Sequence, residues 1–598
     1  MSGRENGPRA RKRSTAAKPG SSASPAGVPS PPLRLGDVLR SLCPLGDLAV
    51  IATSPADLFG CCWALLHAAG SVDDQSAWSW GAPEQAPRRG ATTSPEFDHA
   101  VRDWRRLIRA SSPQPQPPQW VADRWAQVLD AVDEPVLRLQ GANTGGELRA
   151  RLLELLSAAD ETCSGVGFPR KRSTPTSSER EPDLDDGHRR RALEAPLQRT
   201  EGRTLCALID PTRLVVLPKS HTPDKGVTLR SFSHYLAAWQ PSGVDVRWRW
   251  LPSPVLTDRA SDAIDVNVLL LPWPLAVTPR EIRPRFPARS RREGEPPHAP
   301  FTFRRAAPID ADDVAAALAA AERVVDQIHV VLFPELALRP GDATTLAGLL
   351  GRVVIAGAGE SATESALGSN TAELATPVKP RSPGSGADVV VSSTQPKHHP
   401  WRIDRAQIQA YGLGGSLTPN RDWWEAIPSM NRTLTFSVLR EGLSFCLLVC
   451  EDLARQEPVA PIVRAVGPDL VIGLLMDGPQ LDARWPARYA SVLADDPGSS
   501  VLTVTSLGMS LLSRPPGKDP SRVVALWRDA VSPPQMLSLA PEASGLVLTL
   551  SRTPKTEWTA DGRSDRGTSG VVTLTGTHPV FVPRPTGRRA ASRPTPRV

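Results

Sequence analysis

The sequence is poor in the features that mark secreted, metal-bound or membrane proteins. Its 598 residues include only seven cysteines, and no two of them are spaced as Cys-x-x-Cys. An odd and sparse set of cysteines forms neither a disulfide framework nor a zinc site. No apolar run approaches the roughly 20 residues of a membrane span, and no apolar stretch follows the basic N-terminal segment to make a secretory signal. These absences predict a cytoplasmic protein that uses no metal or other cofactor.

The excess of positive over negative charge is also small. The chain has 70 lysines and arginines and 63 aspartates and glutamates, for a net charge of +7. Much of the excess lies in segments rich in arginine and proline. Scattered arginine of this kind is more typical of solvated linkers than of a nucleic-acid interface. Whether the protein binds nucleic acid is left open.

The length predicts two or more domains, because one ordinary core does not grow to this size. The N-terminal region shows helical periodicity, with Val101, Trp104 and Ile108 on one face. Polar, charge-rich stretches flank it and predict tails and a linker. The expected units are a disordered basic tail (1–32), a mainly helical domain (33–163), a linker (164–203), a small mixed module of unknown role (204–260), an α/β domain (261–582) and a disordered tail (583–598). Within the mixed module, residues 231–239 are expected to be helical.

In residues 261–582, apolar runs of strand length alternate with helical segments, a pattern typical of a layered α/β domain. Three of these strands end near a reactive residue: Glu335, Lys397 and Cys450. We expect the three to converge at one edge of a sheet, where α/β active sites form. A free thiol has a pKa of about 8.5 and is mostly protonated near neutral pH. Glu335 could then act as a general base, and Lys397 could stabilise the thiolate and an oxyanion.

Each of these residues has an ordinary structural interpretation. Cys450 taken alone is more often a buried thiol, but its position after Glu335 and Lys397 favours a site. His398 and His399 have no carboxylate or cysteine at metal-binding spacing, so we interpret them as surface residues or residues of a substrate-binding loop. The glycine-rich segment 411–415 follows no strand and opens no helix, which favours a loop near the site over a phosphate-binding turn.

The order of these motifs resembles the nitrilase, or carbon–nitrogen hydrolase, superfamily. The segments that carry the resemblance are Phe-Pro-Glu-Leu at 333–336, the lysine after a strand and Cys-Glu-Asp at 450–452. The resemblance covers residues 265–552, roughly half of the chain. It implies a four-layer α-β-β-α sandwich, here preceded by the mainly helical N-terminal region.

The resemblance also implies a reaction. Cys450 would be the nucleophile, Glu335 the general base and Lys397 the oxyanion stabiliser, with the backbone N–H of Glu451 in an oxyanion hole. Family members often carry a second glutamate shortly after the lysine, and the nearest carboxylate here is Asp404. The expected activity is hydrolysis of a small linear amide, or a nitrile, through a cysteinyl thioester. A homo-oligomer is implied as well.

Two segments depart from the family pattern. Lys-His-His-Pro at 397–400 stands where Lys-x-His-Leu is usual, and Arg-Tyr-Ala-Ser at 488–491 stands where Arg-Ala-x-Glu is frequent. The alternative is a sensor or scaffold module of a bacterial defence or regulatory assembly, with weak or no hydrolysis. In that case the N-terminal region would recruit a protein partner.

Overall fold

The computed structural model describes residues 32–582 apart from 45, 71–93, 110–115, 142–143, 169–179, 252–264, 287–296, 306, 379–388, 441, 515–516 and 518. The predicted tails, 1–32 and 583–598, therefore lie almost wholly outside the described residues. Among the described residues, no helix combines the length and apolar character needed to cross a membrane.

Within these ranges, six helices precede the first strand, and six more lie among the later strands. α2 shows why they begin and end where they do: the Ser54 side chain caps its start, Pro55 occupies its first turn, and Gly70 ends it with φ of 60°. The helices are α1 (Leu35–Leu42), α2 (Pro55–Ala69), α3 (Pro95–Arg109), α4 (Gln119–Asp130), α5 (Thr144–Thr162), α6 (Arg180–Arg199), α7 (Ala311–Ala321), α8 (Asp342–Leu350), α9 (Arg405–Ala410), α10 (Val459–Val466), α11 (Trp485–Asp495) and α12 (Leu507–Leu512).

The strands in the described part of the chain belong to two large sheets and two small ones. They are β1 (Val215–Pro218), β2 (Leu236–Trp239), β3 (Asp245–Trp250), β4 (Asp265–Leu270), β5 (Ile282–Pro284), β6 (His298–Phe303), β7 (Val330–Leu332), β8 (Val353–Glu360), β9 (Ser369–Val378), β10 (Val389–Pro396), β11 (Arg402–Ile403), β12 (Asp422–Glu425), β13 (Thr433–Arg440), β14 (Leu443–Val449), β15 (Leu470–Leu475), β16 (Ser500–Thr505), β17 (Val523–Arg528), β18 (Gln535–Ser538), β19 (Gly545–Pro554) and β20 (Gly570–Val580).

Within the described residues, each large sheet has seven strands, with parallel pairing at its centre. The first sheet has the order β10-β9-β8-β7-β4-β19-β20, and the second has the order β18-β17-β16-β15-β14-β13-β3. β4, β7 and β8 pair in parallel in the first sheet, as do β14, β15 and β16 in the second. Central parallel strands are buried on both faces, which explains the nearly unbroken apolar run of β14.

Three apolar clusters show how the sheets and helices pack. One cluster joins the facing sides of the two sheets, with Val268 and Leu332 from the first and Leu447 and Leu474 from the second. A second cluster packs α7 and α8 on the other side of the first sheet. A third packs α10 and α11 on the other side of the second sheet, and it continues without a break into α2, α4 and α5.

Three sequence predictions between residues 164 and 260 need correction. The expected linker contains α6, whose Arg189 and Leu197 are buried, because packing against its neighbours orders a segment too polar to fold alone. The segment at 231–239, expected to be helical, forms β2 instead, paired with β1. The supposed small module contributes β3, which pairs in parallel with β13 at the edge of the second sheet.

Candidate active site

Glu335 lies just beyond the carboxyl end of β7, in a backbone turn that its surroundings hold tightly. The next residue, Leu336, has φ of 54°, which is unusual for a residue other than glycine. A Cβ on Gly357 of β8 would lie 2.3 Å from the Glu335 Cα. Arg305 donates hydrogen bonds to the carbonyls of Leu336 (2.7 Å) and Leu338 (2.6 Å). These contacts fix where the Glu335 side chain begins.

Lys397 follows β10 and is held between two buried carboxylates. Its Nζ lies 2.9 Å from Glu335 Oε1 and 2.7 Å from Glu425 Oε2. The Asn370 amide donates to both glutamates, to Glu335 Oε1 and to Glu425 Oε1, at 2.7 Å each. Glu335 Oε2 has no hydrogen-bond partner among the described residues. The network therefore leaves one carboxylate oxygen of Glu335 available to accept a proton.

Cys450 directly follows β14 and opens a short 3-10 helix, Cys450–Leu453, and its own φ is 48°. A left-handed backbone at a non-glycine residue is strained, and such strain is frequent at functional turns. The residue is only 3% exposed. Burial and the Glu335 carboxylate raise the pKa of the Cys450 thiol well above its ordinary value, while the Lys397 ammonium partly opposes them. The resting sulfur is therefore a neutral thiol within the electrostatic field of Glu335 and Lys397.

Asp452 ties the turn at Cys450 to the segment after Lys397. Its carboxylate accepts hydrogen bonds from the backbone N–H groups of His398 (3.0 Å) and His399 (2.9 Å), and it lies 2.9 Å from His399 Nδ1. His398 Nε2 in turn lies 2.8 Å from the Thr433 carbonyl. The two histidines thus position the loop that carries Lys397.

The charges of the pair are set by opposing effects. Burial raises the pKa of Glu335, and the nearby Glu425 raises it further against the pull of Lys397. Burial lowers the pKa of Lys397, but the two glutamates outweigh burial and raise it well above its ordinary value. A charged lysine beside a carboxyl group with a raised pKa suits transfer of a proton near neutral pH.

The expectation of a single sheet edge is wrong. Glu335 and Lys397 lie at the carboxyl ends of β7 and β10 in the first sheet, whereas Cys450 follows β14 of the second sheet. The two sheets pack face to face, so the ends of their strands are neighbours. The three predicted residues are brought to the junction of the two sheets.

The choice of Asp404 as the second carboxylate is also wrong. Asp404 caps the start of α9 by accepting the backbone N–H of Gln407 at 2.9 Å. Glu425 takes the place beside Lys397, although 28 residues separate the two along the chain. Glu425 closes β12, whose short Asp-Trp-Trp-Glu sequence carries no clear strand alternation. The signal that could have found it was a carboxylate at the end of an aromatic, strand-forming run.

Other candidate residues take supporting positions. The Glu451 side chain pairs with Arg455 one turn further on, and Cys446 is a buried thiol inside β14. Beyond β15, Asp477 accepts hydrogen bonds from the Tyr411 hydroxyl and, at 2.6 Å, from Arg484. The electrostatic effect of Asp477 reaches Cys450. The glycine-rich segment thus lies near the site, where it contributes Tyr411.

Comparison with known proteins gives structural likenesses only. No protein-family model matches the chain, and no curated protein is similar to it in sequence. Solved structures do resemble it. They are carbon–nitrogen hydrolases and nitrilase-superfamily proteins. Within the described ranges, no group of three or more histidine, cysteine or carboxylate side chains is arranged to hold a metal ion.

Three of these structures cover just under half of the chain and most of their own length. A CN-hydrolase superfamily protein from Xanthomonas campestris, with an arsenic adduct in its active site, is 17% identical, covers 48% of this chain and 90% of its own, and has a TM-score of 0.26. A carbon–nitrogen hydrolase from Helicobacter pylori is 13% identical, with 46% and 85% covered and a TM-score of 0.26. A branch 10 member of the nitrilase superfamily from Saccharomyces cerevisiae is 11% identical, with 44% and 83% covered and a TM-score of 0.25. With TM-scores this low, the roles of the residues must follow from their own geometry.

Proposed function

We propose that this protein is a carbon–nitrogen hydrolase that cleaves a small linear amide through a thioester on Cys450. The observation that carries the proposal is the buried Lys397 ammonium between Glu335 and Glu425, with one Glu335 oxygen left unpartnered among the described residues. A buried charge is costly unless it is paired, and Lys397 pairs with both carboxylates while Glu335 keeps one oxygen free among the described residues. An unsatisfied oxygen beside a thiol suits a general base.

In the first half of the reaction, the Cys450 sulfur attacks the amide carbonyl carbon and its proton passes to Glu335. The carbonyl oxygen becomes an oxyanion, which Lys397 and the backbone N–H of Glu451 stabilise. The C–N bond then breaks, and Glu335 returns the proton to the leaving amine. Glu425 and Asn370 are positioning residues, because they hold Lys397 and Glu335 and need not touch the substrate.

In the second half, water attacks the thioester carbonyl and Glu335 accepts a proton from it. The C–S bond breaks, the carboxylic acid leaves, and Cys450 regains its proton. Every atom comes from the amide and one water molecule, so the cycle needs no cofactor.

The proposal includes the arrangement of the chain. The two sheets with their outer helices form a four-layer α-β-β-α sandwich, which uses residues 261–582 together with β3. The helices before β1 form a mainly helical N-terminal region that packs on the second sheet. Seven free cysteines fit a reducing cytoplasm.

Alkylation with iodoacetamide, read peptide by peptide by mass spectrometry, tests the roles of the site. We expect Cys450 to be labelled in the native protein far faster than Cys446, and its labelling to fall in Glu335→Gln and Lys397→Ala. Asp404→Asn is the matched control and should label like the native chain. Circular dichroism establishes that each variant is folded. Equal labelling of Cys450 in all folded variants would contradict the proposal and favour a sensor or scaffold module.

A further inference from the structure

A cavity of about 1070 Å³ lies between the N-terminal helices and the segment that joins β19 to β20. Its walls come from α3, α5, α6, the segment that joins β1 to β2, and residues 552–569. The cavity meets the second sheet at Gly442 and Asp469, the residues just before β14 and β15. Cys450 lies at the other end of β14, and a strand of this length spans about 20 Å. The cavity is therefore separate from the candidate active site.

The cavity has a strong excess of positive charge. Among the described residues, eight arginine and lysine side chains line it against four carboxylates. Of the carboxylates, Glu161 is paired with Arg563 at 2.9 Å, and Asp565 accepts the backbone N–H groups of Glu557 and Ser569. The acidic groups are thus partly engaged by the protein itself. A concave site with surplus cations attracts an anionic ligand.

Two of the cationic side chains are held by no other group in the described part of the chain. Arg102 of α3 and Arg566 of the β19–β20 segment are exposed, and neither side chain makes a hydrogen bond or ion pair with any described residue. They lie on different elements, and both line the same cavity. Arginine offers the paired N–H groups that suit phosphate oxygens.

The cavity is also lined by a lysine that is buried. Lys219 is 2% exposed, and its ammonium donates to the carbonyls of Arg230 and Ser233 and to the Ser233 hydroxyl, at 2.7 and 3.1 Å for Ser233. Burial lowers the pKa of Lys219 to about 7. No carboxylate among the described residues forms a salt bridge with it. An anion in the cavity would favour its charged form.

An aromatic surface completes the cavity. Trp558 lines it with 60% of the residue exposed. Tyr235, which directly precedes β2, lines it as well. An exposed tryptophan in the same cavity as two arginines that pair with no described residue is a combination that suits a nucleotide, with stacking for the base and cations for the phosphates. The volume is similar to that of small-molecule sites.

We propose that this cavity binds a nucleotide, with its phosphates paired to Arg102 and Arg566 and its base stacked on Trp558. A ligand that bears charge without a ring would leave Trp558 unused, and a neutral aromatic ligand would leave the arginines unpaired.

Binding of ATP to the full chain, measured by titration calorimetry, tests the proposal. We expect saturable binding of ATP, with only weak competition from adenosine and from inorganic pyrophosphate. Arg102→Gln combined with Arg566→Gln should weaken binding by at least about tenfold, since each removes a charge-assisted contact. Trp558→Ala should weaken it by about tenfold through lost stacking.

Arg106→Gln is the matched control, because Arg106 lies one turn from Arg102 on α3, is exposed and does not line the cavity. Arg106→Gln should bind ATP with an affinity within about twofold of that of the native chain. Cys450→Ser should also bind normally, so the result is independent of the proposed hydrolase. Three results would each overturn the proposal: no saturable binding at millimolar ATP, equal binding by the double arginine variant, or pyrophosphate binding as tightly as ATP with Trp558→Ala unchanged.

Discussion

Lys397 shows how much a single side chain contributes, because it pairs with two buried carboxylates at once. Lys397→Ala leaves Glu335 and Glu425 facing each other without a cation. We expect the free energy of unfolding to fall by about 3–5 kcal/mol, the usual cost of breaking a buried ion pair. Glu425→Gln should cost less, since Lys397 keeps its bond to Glu335. Urea unfolding of both variants measures this, and an equal loss in the two would contradict the shared role of Lys397.

His221 provides a prediction about pH. Burial lowers its pKa, but the carboxylates of Glu557, 2.9 Å away, and Asp469, 3.6 Å away, outweigh burial and Lys555, so the pKa is raised above 6.5. A raised pKa means that protonated His221 stabilises the fold below about pH 6.5, and that this contribution is lost as pH rises through the folded-state pKa. Glu557, whose pKa is lowered, stays charged over this range.

The matched variant is His221→Gln. We expect it to be less stable than the native chain by a larger margin at about pH 5.5 than at about pH 8.5. Chemical unfolding at the two pH values measures the margins. A margin that is larger at the higher pH would mean that His221 is neutral in the folded protein.

Gly357 of β8 controls how closely one strand can approach the turn at Glu335. A Cβ there would meet the Glu335 Cα at 2.3 Å, whereas a Cβ on Gly473 of β15 would meet its nearest neighbour at 3.4 Å. We expect Gly357→Ala to displace Glu335, to lower stability by about 1–3 kcal/mol and to slow labelling of Cys450. Gly473→Ala is the control and should change neither the stability nor the labelling of Cys450 by much. Normal labelling in Gly357→Ala would show that the site tolerates movement of this turn.

Elements with a clear apolar pattern could be predicted from the sequence. The limits of α8, β14 and β16 agree with the apolar runs and with the polar or glycine residues that bound them. Strands with mixed polarity could not be predicted: β9 carries Pro377 and alternates poorly, and β12 is four residues long. The second carboxylate was missed for that reason, since Glu425 is brought to Lys397 by the pairing of β12 with β11, a two-residue strand shortly after Lys397.

The three candidate residues were predictable, Glu335 and Cys450 because each follows a strongly apolar strand, and Lys397 because it follows β10, which begins with three valines. Their meeting place was not, because β7 and β14 belong to different sheets and only face-to-face packing brings their ends together. Local patterns define strands and turns. They do not say which sheet a strand joins, since that depends on contacts between distant parts of the chain.

For the molecule as a whole, one apolar cluster unites the N-terminal helices with the second sheet. It includes Leu58 of α2, Leu155 of α5, Trp248 of β3 and Phe436 of β13. Ion pairs add to this contact, because Arg563 of the β19–β20 segment lies 3.2 Å from Asp160 and 2.9 Å from Glu161, both on α5. The predicted boundary at residue 261 therefore cuts through a shared core.

A fragment of residues 261–582 should give little soluble protein, because it lacks β3 and exposes the apolar face that the helices cover. A chain that lacks only residues 1–31 is the control and should unfold like the full chain. Soluble yield and thermal unfolding measure both. Cooperative unfolding of the 261–582 fragment at the temperature of the full chain would show instead that the two regions are independent.

The most direct test of the central claim is the mass of the protein during reaction with small linear amides. Intact-mass and peptide spectra, recorded soon after mixing, should show an acyl adduct on Cys450 that hydroxylamine removes, as expected for a thioester. The adduct should be absent in Cys450→Ser and should decay on its own in the native chain. If a broad set of amides is hydrolysed by Cys450→Ser as fast as by the native protein, Cys450 is not the nucleophile and the account is wrong.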